Sequence, residues 1–209
     1  MERAISEFTE YDFIVLIDKS GSMGAPAVGP GKQSPFANRW AQAKELAEGV
    51  ASFAAQVDDD GITLIKFGGT FNPSTDIADG VQAAAVSDIF AKHFPGGGTP
   101  LHSALDAAFA KHFSSPKKTI VVIFTDGVPD DKNAVVTSII GAAGKLESAD
   151  RLRLLFVQVG DDPTASAFLN DLDNHLTSAK FDIVNAISSD VANGLTVPQL
   201  MDRTLDDSH

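Results

Sequence analysis

The sequence predicts an open α/β sheet, mainly parallel, with helices on both faces in a three-layer arrangement. Three observations carry that expectation. Short runs that are nearly continuous in apolar residues recur along the 209 residues, as they do where both faces of a parallel sheet are covered. Between them, apolar residues fall at i, i+3, i+4 and i+7, the spacing of an amphipathic helix. The two patterns alternate, which is the order of strand–helix–strand units. No internal repeat or low-complexity linker divides the chain. One domain over residues 1–209, with its core at about 11–205, is therefore expected.

The first strand reads as Phe13–Ile17. A long irregular stretch, GAPAVGPGKQSPFA from Gly24 to Ala37, then holds Pro26, Pro30 and Pro35. Ala43, Leu46, Ala47, Val50, Phe53, Ala54 and Val57 lie on one helical face and place a helix over Asn38–Val57. Ile62–Phe67 reads as the second strand. Gly68-Gly69 followed by TFNPSTDI suggests a turn into a short strand, and Pro73 confines that strand to an edge. Thr99-Pro100 offers a hydroxyl cap before a first-turn proline. A third strand spans Thr119–Phe124. Val135, Val136, Ile139, Ile140, Ala143 and Leu146 give the next helix, weakened by Gly141 and Gly144. Leu152–Val159 is the fourth strand, Asp162-Pro163 opens another helix, and Phe181–Ala186 is a weaker fifth strand. Thr196-x-x-Gln199 has the spacing of a capping box for the last helix.

Composition excludes several functions. The 28 acids against 16 bases give a formal charge of −12, which repels phosphate backbones and anionic membranes, so nucleic-acid binding is not expected. Cysteine is absent, and with it disulfides, thiolate metal sites and cysteine nucleophiles. The N-terminal MERAISEFTEYDF carries acids where a signal peptide needs a basic start, and no apolar run is long enough to span a bilayer. A soluble, cytoplasmic protein without membrane insertion is the expectation. Asp58-Asp59-Asp60, Asp161-Asp162 and Asp206-Asp207 lack the alternating spacing of a calcium loop and read as solvated loops or helix starts. The five histidines form no H-x-x-x-H pair, so zinc is not indicated.

Ligands of an open α/β sheet collect outside the carboxyl ends of its strands. The sequence FIVLIDKSGSMG puts Asp18, Ser20 and Ser22 directly after the first strand. Asp126 follows the Thr119–Phe124 strand in FTDGVPDD, and Thr99 lies in GGGTP, before a helix that starts on the same edge. Singly, each has an ordinary structural reading as a strand-end acid, a turn residue or a helix cap. Together they supply two carboxylates and three hydroxyls, a hard-oxygen set suited to Mg²⁺.

DKSGS, with the separated Thr99 and Asp126, resembles the D-x-S-x-S signature and the two remaining positions of the metal-ion-dependent adhesion site of von Willebrand factor A domains. The resemblance runs from Tyr11 to about Leu205. It implies a Rossmann-like sheet of six strands in the order 3-2-1-4-5-6, with its shortest strand, near Thr70–Phe71, antiparallel at one edge. It also implies that Ser20, Ser22 and Thr99 donate hydroxyl oxygens to Mg²⁺ or Mn²⁺, with Ca²⁺ a third candidate, and that Asp18 and Asp126 act through bound water. A protein partner would supply an Asp or Glu carboxylate to the open position. The Gly24–Ala37 insertion departs from the compact loop of many members. It is more similar to bacterial stand-alone members, some of them associated with tellurite-resistance and stress loci, than to integrin domains. The alternative is an Mg²⁺-dependent phosphatase or phosphotransferase with Asp18 as nucleophile. Haloacid-dehalogenase phosphatases, however, use D-x-D where this chain has Asp18-x-Ser20. No G-x-G-x-x-G or P-loop follows the first strand, so nucleotide binding through GGGTP is not indicated.

Overall fold

The computed structural model describes residues 5–69 and 75–205. These residues form strands β1 (Tyr11–Asp18), β2 (Ile62–Phe67), β3 (Thr75–Val81), β4 (Lys118–Thr125), β5 (Leu152–Gln158) and β6 (Val184–Ile187). The helices are α1 (Arg39–Ala54), α2 (Ala83–Ala91), α3 (Leu101–Ser114), α4 (Lys132–Lys145), α5 (Pro163–Asn174), α6 (Ser189–Asn193) and α7 (Val197–Asp202). The six strands form one sheet in the order β3-β2-β1-β4-β5-β6, the expected order. Every pairing is parallel except that of β2 with β3.

The period-two alternation of β1 decides which layer each side chain joins. Phe13, Val15 and Ile17 pack with α1, α2 and α7, through residues such as Val50, Phe90 and Met201. Ile14 and Leu16 point the other way and pack with α3, α4 and α5, through Leu105, Ile139 and Leu169. Each face of the sheet thus carries its own apolar layer of helices. That is why the central strands are apolar throughout instead of alternating with polar residues.

Several boundaries differ from the sequence reading. The antiparallel edge strand is Thr75–Val81, with seven residues, and the shortest strand is the parallel β6, with four. The position near Thr70–Phe71 lies outside the described residues, as do Pro73 and Asp206-Asp207. The edge strand, TDIADGV, is polar and mostly exposed because, among the described residues, no strand pairs with its outer side. α4 runs unbroken through Gly141 and Gly144; packing of Val135, Ile139 and Ala143 on the sheet outweighs the helix cost of two glycines. Asp162 caps α5 by accepting from the amides of Thr164 and Ala165, and Thr196 with Gln199 closes the capping box of α7.

Thr99 is not a cap. Helix α3 begins at Leu101 with Pro100 in the cap position and no side-chain cap bond. The Thr99 carbonyl instead accepts from the amides of Leu101 (2.8 Å) and Asp130 (3.0 Å). The extra residue between Thr99 and the helix releases its hydroxyl from capping.

Candidate metal-binding site

The carboxyl ends of β1 and β4 bring four of the five proposed side chains into one hydrogen-bonded chain. Asp18, the last residue of β1, accepts from the Ser20 amide at 2.7 Å through one oxygen. Its other oxygen accepts from the Thr125 hydroxyl, also at 2.7 Å. Ser20 Oγ and Ser22 Oγ lie 3.0 Å apart, and the Ser22 hydroxyl donates to Asp126 at 2.8 Å. Asp18, Ser20, Thr99 and Asp126 are buried, while Ser22 is exposed. The set therefore has a closed floor and opens to solvent at one hydroxyl.

Thr99 reaches this edge through its backbone. The Gly97 carbonyl accepts from Gly21 at 3.0 Å, and the Gly96 amide donates to Lys19 at 2.8 Å. Gly69 bridges to Gly97 and Gly98. The approach demands glycine: Gly97 has φ +76, and a Cβ there would fall 2.1 Å from the Gly69 backbone. The loop before Thr99 is thus sewn to the loop holding Ser20 and Ser22. The Thr99 hydroxyl itself joins no hydrogen bond in the chain of four among the described residues.

Two participants escaped the sequence reading. Thr125 holds Asp18 from the neighbouring strand; being the residue before Asp126, it reads only as the end of an apolar run. Arg39, the first residue of α1, donates from Nη1 to Asp126 at 2.7 Å. One signal was available for it: a cation in the first turn of a helix opposes the helix dipole, so it needs another reason to be there.

Electrostatics separate the two acids. Burial pushes the Asp18 carboxyl up to about 6, against the pull of its Ser20 and Thr125 hydrogen bonds, and the nearby Asp126 charge raises it further. Among the described residues no cation pairs with Asp18, whereas Asp126 pairs with Arg39. A buried acid without a counter-cation, beside neutral hydroxyls and a second carboxylate, fits a hard divalent ion. Asp18, Ser20, Ser22, Thr99 and Asp126 are the residues that could hold one.

The residue 58–60 acids behave differently. Their carboxylates gather within 4.8 Å of one another before β2, at the opposite edge of the sheet. Lys117 pairs with Asp58 at 3.3 Å and with Asp12 at 3.0 Å. Asp59 and Asp60 are exposed, as a solvated loop requires.

The sequence model of the von Willebrand factor type A domain matches residues 12–193. The chain belongs to that family. No curated protein matches it in sequence. Among solved structures it is similar to the manganese-loaded TRAP protein of Plasmodium vivax, at 18% identity and a TM-score of 0.58, over 89% of this chain and 72% of that one. The pilus adhesin SpaC of Lactobacillus rhamnosus GG gives 16% identity and a TM-score of 0.59, over 93% of this chain but 30% of SpaC. A von Willebrand factor type A protein from Catenulispora acidiphila gives 14% and 0.59, over 93% of this chain and 42% of that one. The chain spans less than half of the last two proteins. At these identities the likeness is one of fold, and it agrees with the six-stranded, mostly parallel sheet.

Proposed function

We propose that this von Willebrand factor A domain is a divalent-metal-dependent protein-binding module of the bacterial stand-alone kind. In this reading Ser20, Ser22 and Thr99 hold Mg²⁺ or Mn²⁺ through hydroxyl oxygens, and Asp18 and Asp126 act on it through bound water. The observation that carries it is the Asp18–Ser20–Ser22–Asp126 chain, buried at one end and exposed at Ser22. When bound, the ion would supply a Lewis-acid position that accepts a partner's Asp or Glu carboxylate. The protein's own contribution is to fix the oxygens on two strand ends and to keep Asp18 out of bulk solvent. The manganese-loaded state of the TRAP protein supports a divalent ion in this fold, and SpaC supports a role in protein contact. A cytoplasmic location is part of the same proposal; among the described residues no helix is long and apolar enough to cross a membrane.

We assign no nucleophilic role to Asp18. Its two oxygens already accept from Ser20 and Thr125, and it has no exposed surface from which to attack a phosphoryl group. Titration calorimetry with Mn²⁺ tests the metal reading. One site is expected in the wild type and at least a tenfold loss in Asp18→Asn and in the Ser20→Ala, Ser22→Ala double variant. Unchanged affinity in both variants would place any bound metal elsewhere.

A further inference from the structure

The Asp126 carboxylate already carries a cation. Arg39 Nη1 lies 2.7 Å from one Asp126 oxygen, and the Ser22 hydroxyl occupies the other. The Asp126 side chain is fully buried and that of Arg39 is 15% exposed, so this pair is screened far less than a surface ion pair. We propose that Arg39 is a built-in counter-charge that weakens the site's hold on a bare divalent ion and so makes metal capture depend on an acidic ligand. The inference rests on the metal reading of the same site.

Three features hold the guanidinium in place. The Arg39 amide donates to the Ala25 carbonyl at 3.0 Å, which ties the helix start to the loop after Ser22. Asn38 caps α1 by accepting from Ala41. The side chain crosses Gly160, whose φ is +75 and where a Cβ would fall 2.4 Å from Arg39 Nε. Any other residue at 160 would strain the backbone and force the Arg39 side chain to shift. The placement carries costs. Among the described residues Arg39 Nε is buried with no hydrogen-bond partner, and a cation in the first turn of a helix is unfavourable. A chain that only needed a strand-end acid neutralised could avoid both costs with Asn at 126.

The consequence is a matter of charge. With Arg39 paired to Asp126, the two carboxylates present one uncompensated negative charge instead of two. A divalent ion bound there stays under-neutralised, and its remaining positive charge favours a carboxylate from outside. Without Arg39 the site would neutralise the ion by itself, and an external acid would add less.

The test is Mn²⁺ calorimetry on wild type, Arg39→Gln and Arg39→Lys, each with and without excess acetate as the carboxylate probe. Arg39→Gln is expected to bind Mn²⁺ about tenfold tighter or more. Arg39→Lys, which keeps the charge, should stay within about threefold of wild type. Acetate should tighten Mn²⁺ binding in wild type more than in Arg39→Gln. Equal or weaker Mn²⁺ binding by a folded Arg39→Gln overturns the counter-charge while leaving the metal reading intact. If neither protein binds Mn²⁺, the metal reading fails and the inference falls with it. Should Arg39→Gln melt too low for calorimetry, its Mn²⁺-induced rise in melting temperature replaces affinity. A rise no larger than that of wild type counts against the proposal.

Discussion

Asp126 shows how much a single residue's surroundings can change its expected cost. As a lone acid in an empty site, it looks dispensable, and its removal would relieve repulsion with Asp18. The ion pair with Arg39 reverses that expectation. Asp126→Ala strands a mostly buried guanidinium and leaves the Ser22 hydroxyl without its acceptor. A loss of about 2 kcal/mol in metal-free urea unfolding is expected, below the full cost for a wholly buried pair because Arg39 keeps some solvent. No loss, or a gain, would show that the pair is not formed in solution. His112 gives a second prediction at this scale. It is buried on α3 with Nδ1 at 2.8 Å from the Thr119 hydroxyl, and burial, then the Arg151 charge, hold its pKa below the ordinary histidine value against the pull of Asp12. A depressed folded pKa means that the neutral ring's contribution is complete above the unfolded value of about 6.5 and is lost as pH falls through the folded value. The stability difference between wild type and His112→Gln should therefore shrink or change sign from pH 8 to pH 5. A pH-independent difference would contradict it.

The Gly24–Ala37 loop, between β1 and α1, is tethered instead of hanging free. Ala27 is buried, the Gly29 amide donates to Asp161 at 3.1 Å, and Lys32 pairs with the same carboxylate at 2.7 Å. Lys32 is thus engaged within the chain, which leaves Phe36, half-buried, as the better candidate for a partner contact. The Lys32 pair is exposed, so Lys32→Ala should leave the melting temperature nearly unchanged. Replacing residues 26–35 with a short Gly-Ser bridge should leave Mn²⁺ affinity within about threefold and weaken partner binding. Full retention of partner binding would make the loop incidental. The elements that could be read in advance share one trait: their signal lies within a few residues. β2 was legible at both ends because Ile62–Phe67 is a nearly continuous apolar run, and the Asp162 cap of α5 and the capping box of α7 because their donors and acceptors are two or three residues apart. The nine-residue α2 was not, since AAAVSDIFA is too short and too apolar to show a clear face. The Arg39–Asp126 pair was not either: the partners stand 87 residues apart, and only folding makes them neighbours. The D-x-S-x-S signal named Asp18, Ser20 and Ser22, but the hydroxyl that steadies Asp18 comes from the adjacent strand.

Across the whole molecule, the two edges of the sheet divide the chemistry. The carboxyl edge gathers hydroxyls, two buried acids and one arginine between β1 and β4. The opposite edge carries a cluster of acids, two of them exposed, with Lys117 paired to Asp12 and Asp58. Apolar layers on both faces make the sheet rigid enough to hold loops that otherwise share no secondary structure. A ligand that binds only the folded state raises stability by mass action. The melting temperature should therefore climb with Mg²⁺ or Mn²⁺ concentration in wild type and not in Asp18→Asn. The central claim is that the five oxygen-bearing residues of the carboxyl edge form one metal site. Anomalous diffraction from crystals grown with Mn²⁺ tests it most directly. The account predicts an anomalous peak within coordination distance of the Ser20 and Ser22 hydroxyls, with Asp18, Thr99 and Asp126 around it. A peak at Asp58–Asp60 instead, or none at a saturating Mn²⁺ concentration, would contradict it.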